Sequence, residues 1–320
     1  MNFFDPSEKK ILQDSKQIVV AFSGGADSTL SLLATMANTK DKSKITALHI
    51  NHKKSKKSDL WEIHCKNFCS SRDINFISEN VEINEEGQGF EAAARNERRK
   101  IFQNFPANTP IILGHHADDQ VETILFRIFR GTALKGLSGM GRVQKHNHIL
   151  LIRPLLNISK DQILNYLEKA EVSFVEDESN DDDGYSRNFI RKNIVPLIKS
   201  KWNSIEKNVS RMTRLAREQN ALYEAFIREE LKKVTEDQNL SLSLLENYDP
   251  FFRSELIRLW LSDLSHAVPN ESQMKEIQKS FFESRQDSNP VIKFNRDDDK
   301  NSGVVISKVN NFLIAEVADE

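Results

Sequence analysis

The chain has 320 residues, 38% of them apolar and 29% charged, with a formal net charge of −2. That profile fits a globular protein long enough for two domains and excludes disordered, collagen-like and membrane-spanning classes. No apolar run approaches the ~20 residues that cross a bilayer, and residues 1–6 have neither the basic nor the apolar region of a secretory signal, so a cytoplasmic location is expected.

The first element is the β-branched run Gln17–Phe22, which reads as a buried strand; the helical pattern Thr29–Met36 follows. Between them lies Ser23-Gly24-Gly25-Ala26-Asp27-Ser28. A strand that turns through paired glycines into a helix can cradle a phosphate: glycine lets backbone N–H groups approach an anion, the two serines add donors, and the helix N-terminus is positive. Asp27 would repel a bare phosphate unless a magnesium ion bridged the two. An ordinary βα turn would also carry these residues. Neither a Walker loop nor Gly-x-Gly-x-x-Gly occurs, which removes kinase and dehydrogenase readings.

Further strands are predicted near 45–50, 74–83 and 110–114, each followed by a helical pattern. This alternation implies an α/β fold with a doubly wound, mostly parallel sheet whose ligands sit at the C-terminal strand ends, where His52, Gly114 and His115 fall. Cys65 and Cys69 stand four apart beside His64 in the second helix, with no second pair to complete a zinc set, and read as reduced structural thiols. In the third helix Glu91, Arg95 and Arg98 share a face, fitting either exposed ion pairs or a polyanion-facing surface. The fourth opens with His115-His116-Ala117-Asp118-Asp119-Gln120-Val121-Glu122. Its apolar stripe starts at Val121, and His115, Asp118 or Asp119, and Glu122 share another face, as a polar pocket or as acids complementing the helix dipole. The glycine-spaced turn Gly131–Met140 could close over a substrate or be a plain surface loop.

A fifth strand is predicted at 149–153 and a helix from Ser159 to about Lys169, capped by Ser159. Residues 171–183 carry seven acids and no base, whereas residues 187–217 carry nine bases against Glu206 alone. With Lys53, Lys54, Lys56 and Lys57, this unevenness points to a polyanion footprint or to solvated faces. One long helix spans 204–233. Beyond it, helices near 250–265 and 271–283 and strands near 290–295, 303–308 and 311–316 make a small α+β domain. The implied organisation is 1–203, a linking helix 204–235, and 236–320.

The loop resembles the pyrophosphate-binding loop of the N-type ATP pyrophosphatases, the PP-loop superfamily. Together with Asn51-His52, Glu91–Arg95 and Arg98, Gly114–Thr123, Arg130-Gly131, Gly136–Met140, Arg153–Leu156, Asp177–Asn180 and Tyr185–Arg191, the chain resembles the tRNA(Ile)-lysidine synthetase family over about residues 17–196. The resemblance implies ATP-dependent joining of free L-lysine to C2 of the wobble cytidine of isoleucine tRNA with a CAU anticodon, through an adenylated cytidine, releasing AMP and pyrophosphate. It implies an ATP site of Ser23, Gly24, Gly25, Ala26, Asp27, Ser28 and His52, with Mg2+ on Asp27. Catalysis falls to Asp27, His115, Asp118, Asp119 and Glu122, lysine binding to Asp119 and Glu122. Contacts to tRNA are expected from Glu91, Arg95, Arg98, Arg187, Arg191, Lys192 and the C-terminal domain. Long members of the family carry a further C-terminal domain that a chain of this length is expected to lack. The oligomeric state stays open, a homodimer included. The rival readings are a PP-loop tRNA thiolase and a non-catalytic RNA-binding relative.

Overall fold

The computed structural model describes residues 3–52, 58–81, 90–175, 186–283, 289–295 and 303–318, with the side chains of 90–92 excepted. The Glu91 side chain, the four lysines at 53–57 and the acid-rich run after Val175 therefore lie outside the described part of the structure. The chain divides into two compact units, Met1–Arg217 and Glu218–Glu320.

The first unit is built on a six-stranded sheet of order β3-β2-β1-β4-β6-β5. Its strands are β1 (Ile18–Ala21), β2 (Ile45–Asn51), β3 (Asn75–Asn80), β4 (Pro110–Ile112), β5 (Val143–His146) and β6 (Ile149–Ile152). All pairings are parallel except β5 with β6. A strand covered on both faces reads as a continuous apolar run, and β1 divides accordingly. Ile18 and Val20 join Phe22, Leu30 and Ile112 on one face, while Val19 joins Leu48, Phe102 and Ile111 on the other. Each such fully buried side chain contributes about 1.5–3 kcal/mol.

The helices α1 (Pro6–Asp14), α2 (Ala26–Asn38), α3 (Ser58–Ser70), α4 (Phe90–Phe102), α5 (Ala117–Phe129) and α6 (Lys160–Lys169) accompany the sheet, followed by α7 (Ser186–Phe189), a π turn (Ile190–Ile194) and α8 (Val195–Lys201). Ser159 caps α6 by accepting from the Gln162 N–H, as its sequence predicts. α1 and β5 are additions to the expected elements. The strand order reverses between β1 and β4, and ligands of such sheets bind at that reversal, beyond the carboxyl ends of the strands.

The helix α9 (Ile205–Val234) runs through the division between the units. The second unit holds an antiparallel sheet of order β7-β8-β11-β10-β9, formed by β7 (Thr235–Glu236), β8 (Asn239–Ser241), β9 (Val291–Phe294), β10 (Val304–Val309) and β11 (Phe312–Val317), with α10 (Leu242–Leu245), α11 (Pro250–Asp263) and α12 (Glu271–Phe282). The β7–β8 hairpin, also beyond the expected strands, turns on Asp237 and Gln238, both at positive φ, the geometry that matches strand twist in a two-residue loop. Trp260, Leu256, Ile277, Ile306 and Leu313 form its core. Among the described residues no helix is long and apolar enough to cross a membrane.

Candidate nucleotide-binding and catalytic site

The loop after β1 stands at the sheet reversal. Gly24 adopts φ +83°, where an L side chain is strained, and a Cβ there would meet Cys65 Sγ at 2.9 Å. Two serines close the turn: Ser23 N–H donates to Ser28 Oγ (3.2 Å), and the Ser28 hydroxyl donates to Gly25 O (3.0 Å). Gly25 is the N-cap of α2 and supplies no capping side chain, which leaves the first amides of the helix without a side-chain acceptor of their own at that end. Opposite, Gly114 follows β4; a Cβ there would lie 3.0 Å from the Asp27 carbonyl carbon and the Ser28 nitrogen. Glycine at 114 lets the start of α2 pack directly against the end of β4.

That packing brings Asp27 to the start of α5. His116 Nε2 lies 3.7 Å from Asp27 and 3.6 Å from Asp119, and its Nδ1 lies 3.4 Å from Asp118. Burial opposes protonation of His116, but these carboxylates outweigh it and push its pKa above the ordinary value. His115 behaves oppositely. Burial, reinforced by Arg153, Arg98 and Arg95 and opposed by Asp119, pushes it down to about 3. Its Nδ1 is buried with no hydrogen-bond partner. His52 ends just past β2, also held below its ordinary value by burial and by Arg98. Arg95 and Arg98 of α4 thus act electrostatically on this region.

The three carboxylates of α5 are separated by their partners. Burial would raise the pKa of Asp118, but His116, Lys199 and the Lys160 amide hold it well below the carboxylate range; the Lys160 N–H donates to it at 2.8 Å, and Lys199 pairs with it and with Glu206. Asp119 accepts from the His116 N–H at 3.0 Å. It too is lowered, against burial, by His116 and His115. Glu122, only 2% exposed, is gripped by Arg191 at 2.7 and 2.8 Å, with Arg187 Nε at 3.5 Å. Arg187 also donates to Thr123 at 2.9 Å.

These contacts bear on two expectations. Arg187 and Arg191 face the buried Glu122, so part of the basic strip is consumed within the unit; the π turn after α7 lies in this segment, a feature that recurs at functional sites. The turn 131–140 is held in place: Gln120 bonds both the N–H and the carbonyl of Met140 (2.8 and 2.9 Å), Arg127 reaches Gly136 O (2.6 Å), and Arg217 reaches Ser138 O (2.6 Å). Lys192 is half-buried beside them in the chain. His116, Lys160, Lys199 and Arg153 are the site residues that sequence reasoning missed. Lys160 and Lys199 meet partners far away in the chain, whereas His116 faces Asp118 and Asp119 two and three positions on, and only the His115-His116 pairing carried a local signal.

Among the described residues no group of three or more His, Cys, Asp or Glu gathers as a metal cage. Magnesium needs none, because it keeps its waters and takes one or two carboxylates together with substrate phosphates. Asp27, its side chain 30% exposed at the mouth of an anion-binding turn, fits such a role. Cys65 lies closer to the loop than its position on α3 implied, but it is fully buried and its thiol is pushed up to about 12, chiefly by burial.

A Gly-Gly cradle at the reversal of a parallel sheet, facing an acidic helix start, defines the class of PP-loop proteins. The PP-loop domain family model matches residues 2–198, and the model described as the TilS substrate binding domain matches residues 240–298. The tRNA(Ile)-lysidine synthase of Proteus mirabilis is 33% identical over 296 residues, covering 91% of this chain and 67% of that protein. That of Histophilus somni is 34% identical over 282 residues, covering 87% and 66%, and that of Wigglesworthia glossinidia brevipalpis 34% over 298 residues, covering 89% and 74%. The chain belongs to the tRNA(Ile)-lysidine synthase family, spanning about two thirds of the length of the first two relatives. A solved U34-tRNA thiolase from Methanococcus maripaludis shares the fold, with a TM-score of 0.53 at 16% identity over 65% of this chain and 74% of the thiolase.

Proposed function

We propose that this protein is a ligase that joins free L-lysine to C2 of the wobble cytidine in isoleucine tRNA bearing a CAU anticodon. ATP adenylates the cytidine, pyrophosphate leaves, and the lysine ε-amine displaces AMP. The observation that carries this reading is the Ser23–Ser28 turn at the sheet reversal, placed by Gly114 against the carboxylates of α5.

In this reading the loop and the start of α2 hold the leaving pyrophosphate, with His52 at the neighbouring strand end beside the nucleotide. Asp27 would hold magnesium, which offsets charge on the phosphates. Asp119 is the best-suited carboxylate for the lysine ammonium, because Glu122 is gripped by Arg191 and Asp118 by Lys199, whereas the side chains of His116 and Arg191 stand off from Asp119 at 3.6 and 3.7 Å. Glu122 would contribute by anchoring Arg191. An amine of pKa ~10.4 costs about 4.6 kcal/mol to deprotonate at pH 7. A carboxylate beside it offers a proton acceptor at the moment of attack; His115, whose protonation burial opposes, suits a hydrogen-bonding role toward the substrate. The thiolase alternative gains nothing from Cys65, whose thiol is buried and held protonated.

The test is incubation with ATP, labelled lysine and CAU-anticodon isoleucine tRNA. Labelled tRNA with AMP and pyrophosphate is expected; no label transfer by folded protein overturns the reading. Asp27→Ala should abolish pyrophosphate release with the fold intact, whereas Asp119→Asn should impair lysine incorporation more than pyrophosphate release, so that adenylated tRNA accumulates. Equal loss of both steps in Asp119→Asn would put Asp119 at the nucleotide instead.

A further inference from the structure

Lys160, the first residue of α6, is tied into the acidic cluster at both ends. Its backbone N–H donates to Asp118 Oδ2 at 2.8 Å, and its Nζ donates to both oxygens of Asp27 at 2.7 and 2.9 Å. The backbone contact fixes where the side chain starts, and the flexible four-carbon stem leaves the ammonium free to reach more than one acceptor. The pair it makes is open to water, with side-chain exposures of 38% for Lys160 and 30% for Asp27, the condition under which ion pairs exchange partners at little cost.

α6 does not need that ammonium to hold its place. Ser159 caps it, Ile163 and Leu167 are buried beneath it, and the Ala117 N–H donates to Ile158 O at 2.8 Å just before it. What the ammonium does is neutralise a carboxylate that stands at the mouth of an anion-binding turn. A triphosphate entering that turn would be repelled by the Asp27 carboxylate unless a cation accompanied Asp27.

We propose that Lys160 is a partner-exchange residue, which neutralises Asp27 in the empty site and transfers its ammonium to phosphate oxygens when a magnesium-bound nucleotide takes over the Asp27 carboxylate. The proposal rests on the ATP-using reading above. Its consequence is that nucleotide and metal compete differently for the site depending on what stands at 160. His116, 3.7 Å from Asp27, also faces Asp27 and stays in all variants.

The experiment uses the full chain and its Lys160→Met and Lys160→Arg variants, with calorimetric titration of ATP in EDTA and of Mg·ATP, and Mn2+ binding read by electron paramagnetic resonance without nucleotide. Lys160→Met should lose roughly tenfold or more in ATP affinity in EDTA while binding Mn2+ more tightly than the parent, because Asp27 no longer has a resident cation. Lys160→Arg should keep ATP affinity. Unchanged ATP and Mn2+ affinities in Lys160→Met, or a loss of both in step with thermal stability, would overturn the exchange role and leave a structural pin. Should Lys160→Met fail to fold, Asp27→Asn decides: tighter ATP binding in EDTA supports the exchange, and unchanged or weaker binding refutes it. If the parent chain binds no ATP with or without magnesium, the nucleotide reading itself falls and takes the proposal with it, an outcome distinct from normal binding that ignores residue 160.

Discussion

His115 and His116 are adjacent in the chain yet their pKa values shift in opposite directions. One is pushed down to about 3 by burial and nearby arginines; the other is raised, against burial, by Asp118, Asp119 and Asp27. Linkage turns this into a pH profile. Below 6.5 the unfolded chain protonates position 115 while the folded chain resists until about 3, so stability falls as pH drops through that window. His116 works the other way: its contribution is complete below 6.5 and is lost as pH rises through its raised folded value. Denaturant midpoints of the chain should therefore peak near pH 6.5. His115→Gln should flatten the acid limb and His116→Gln the alkaline limb. Exchanged effects, or none, would show that the two environments are misassigned. Much of this site is legible as sequence, because Ser23–Ser28 and Asp118–Glu122 are local spellings. The cations that organise the carboxylates are not, since Lys160 reaches Asp27 across 133 positions and Arg191 reaches Glu122 across 69. A basic strip in sequence gives charge without giving its partner.

At the scale of elements, α1 shows what a spelling conveys and what it withholds. Asp5-Pro6-Ser7-Glu8 is a capping box with proline at N1: Glu8 N–H donates to Asp5 at 2.9 Å, and Asp5 N–H donates back to Glu8 at 2.9 Å. The same Glu8 is fully buried and paired with Arg142 at 2.7 and 2.9 Å, 134 positions away, which no local pattern reveals. β5 escapes the sequence for a different reason. Its Val143-Gln144-Lys145-His146 is a largely exposed edge strand, so it has no apolar alternation to read. The buried pair yields a test. Arg142→Met should destabilise by about 3–5 kcal/mol, because it strands a buried carboxylate. Glu8→Gln with Arg142→Met should cost less than Arg142→Met alone. Additive losses in urea melts of the two single variants and the double variant would mean the pair is uncoupled.

For the whole molecule the proposed function asks how a chain of net charge −2 would meet a tRNA. The strip 187–217 supplies the excess of bases, but its members divide by what they touch. Arg187, Arg191, Lys199 and Arg217 are engaged within the first unit, whereas Lys201, Lys207 and Arg211 are exposed. Replacing those three by Gln should weaken tRNA binding and reduce the salt slope by about 0.7–0.9 for each phosphate no longer neutralised. Replacing Arg187 and Arg191 should act mainly through Glu122, harming catalysis with a smaller change in slope. An unchanged slope in the triple variant would reduce those three residues to a solvated face.

One close approach carries a consequence for descent. Where Gly24 has no side chain, the Cys65 sulfur already occupies the space a methyl group would need. Two positions 41 residues apart in number are therefore a single unit of inheritance with respect to size: a larger residue at either one requires the other, or the turn between β1 and α2, to yield. In any lineage of this chain, Cys65 is thus constrained first by its volume and only second by its sulfur.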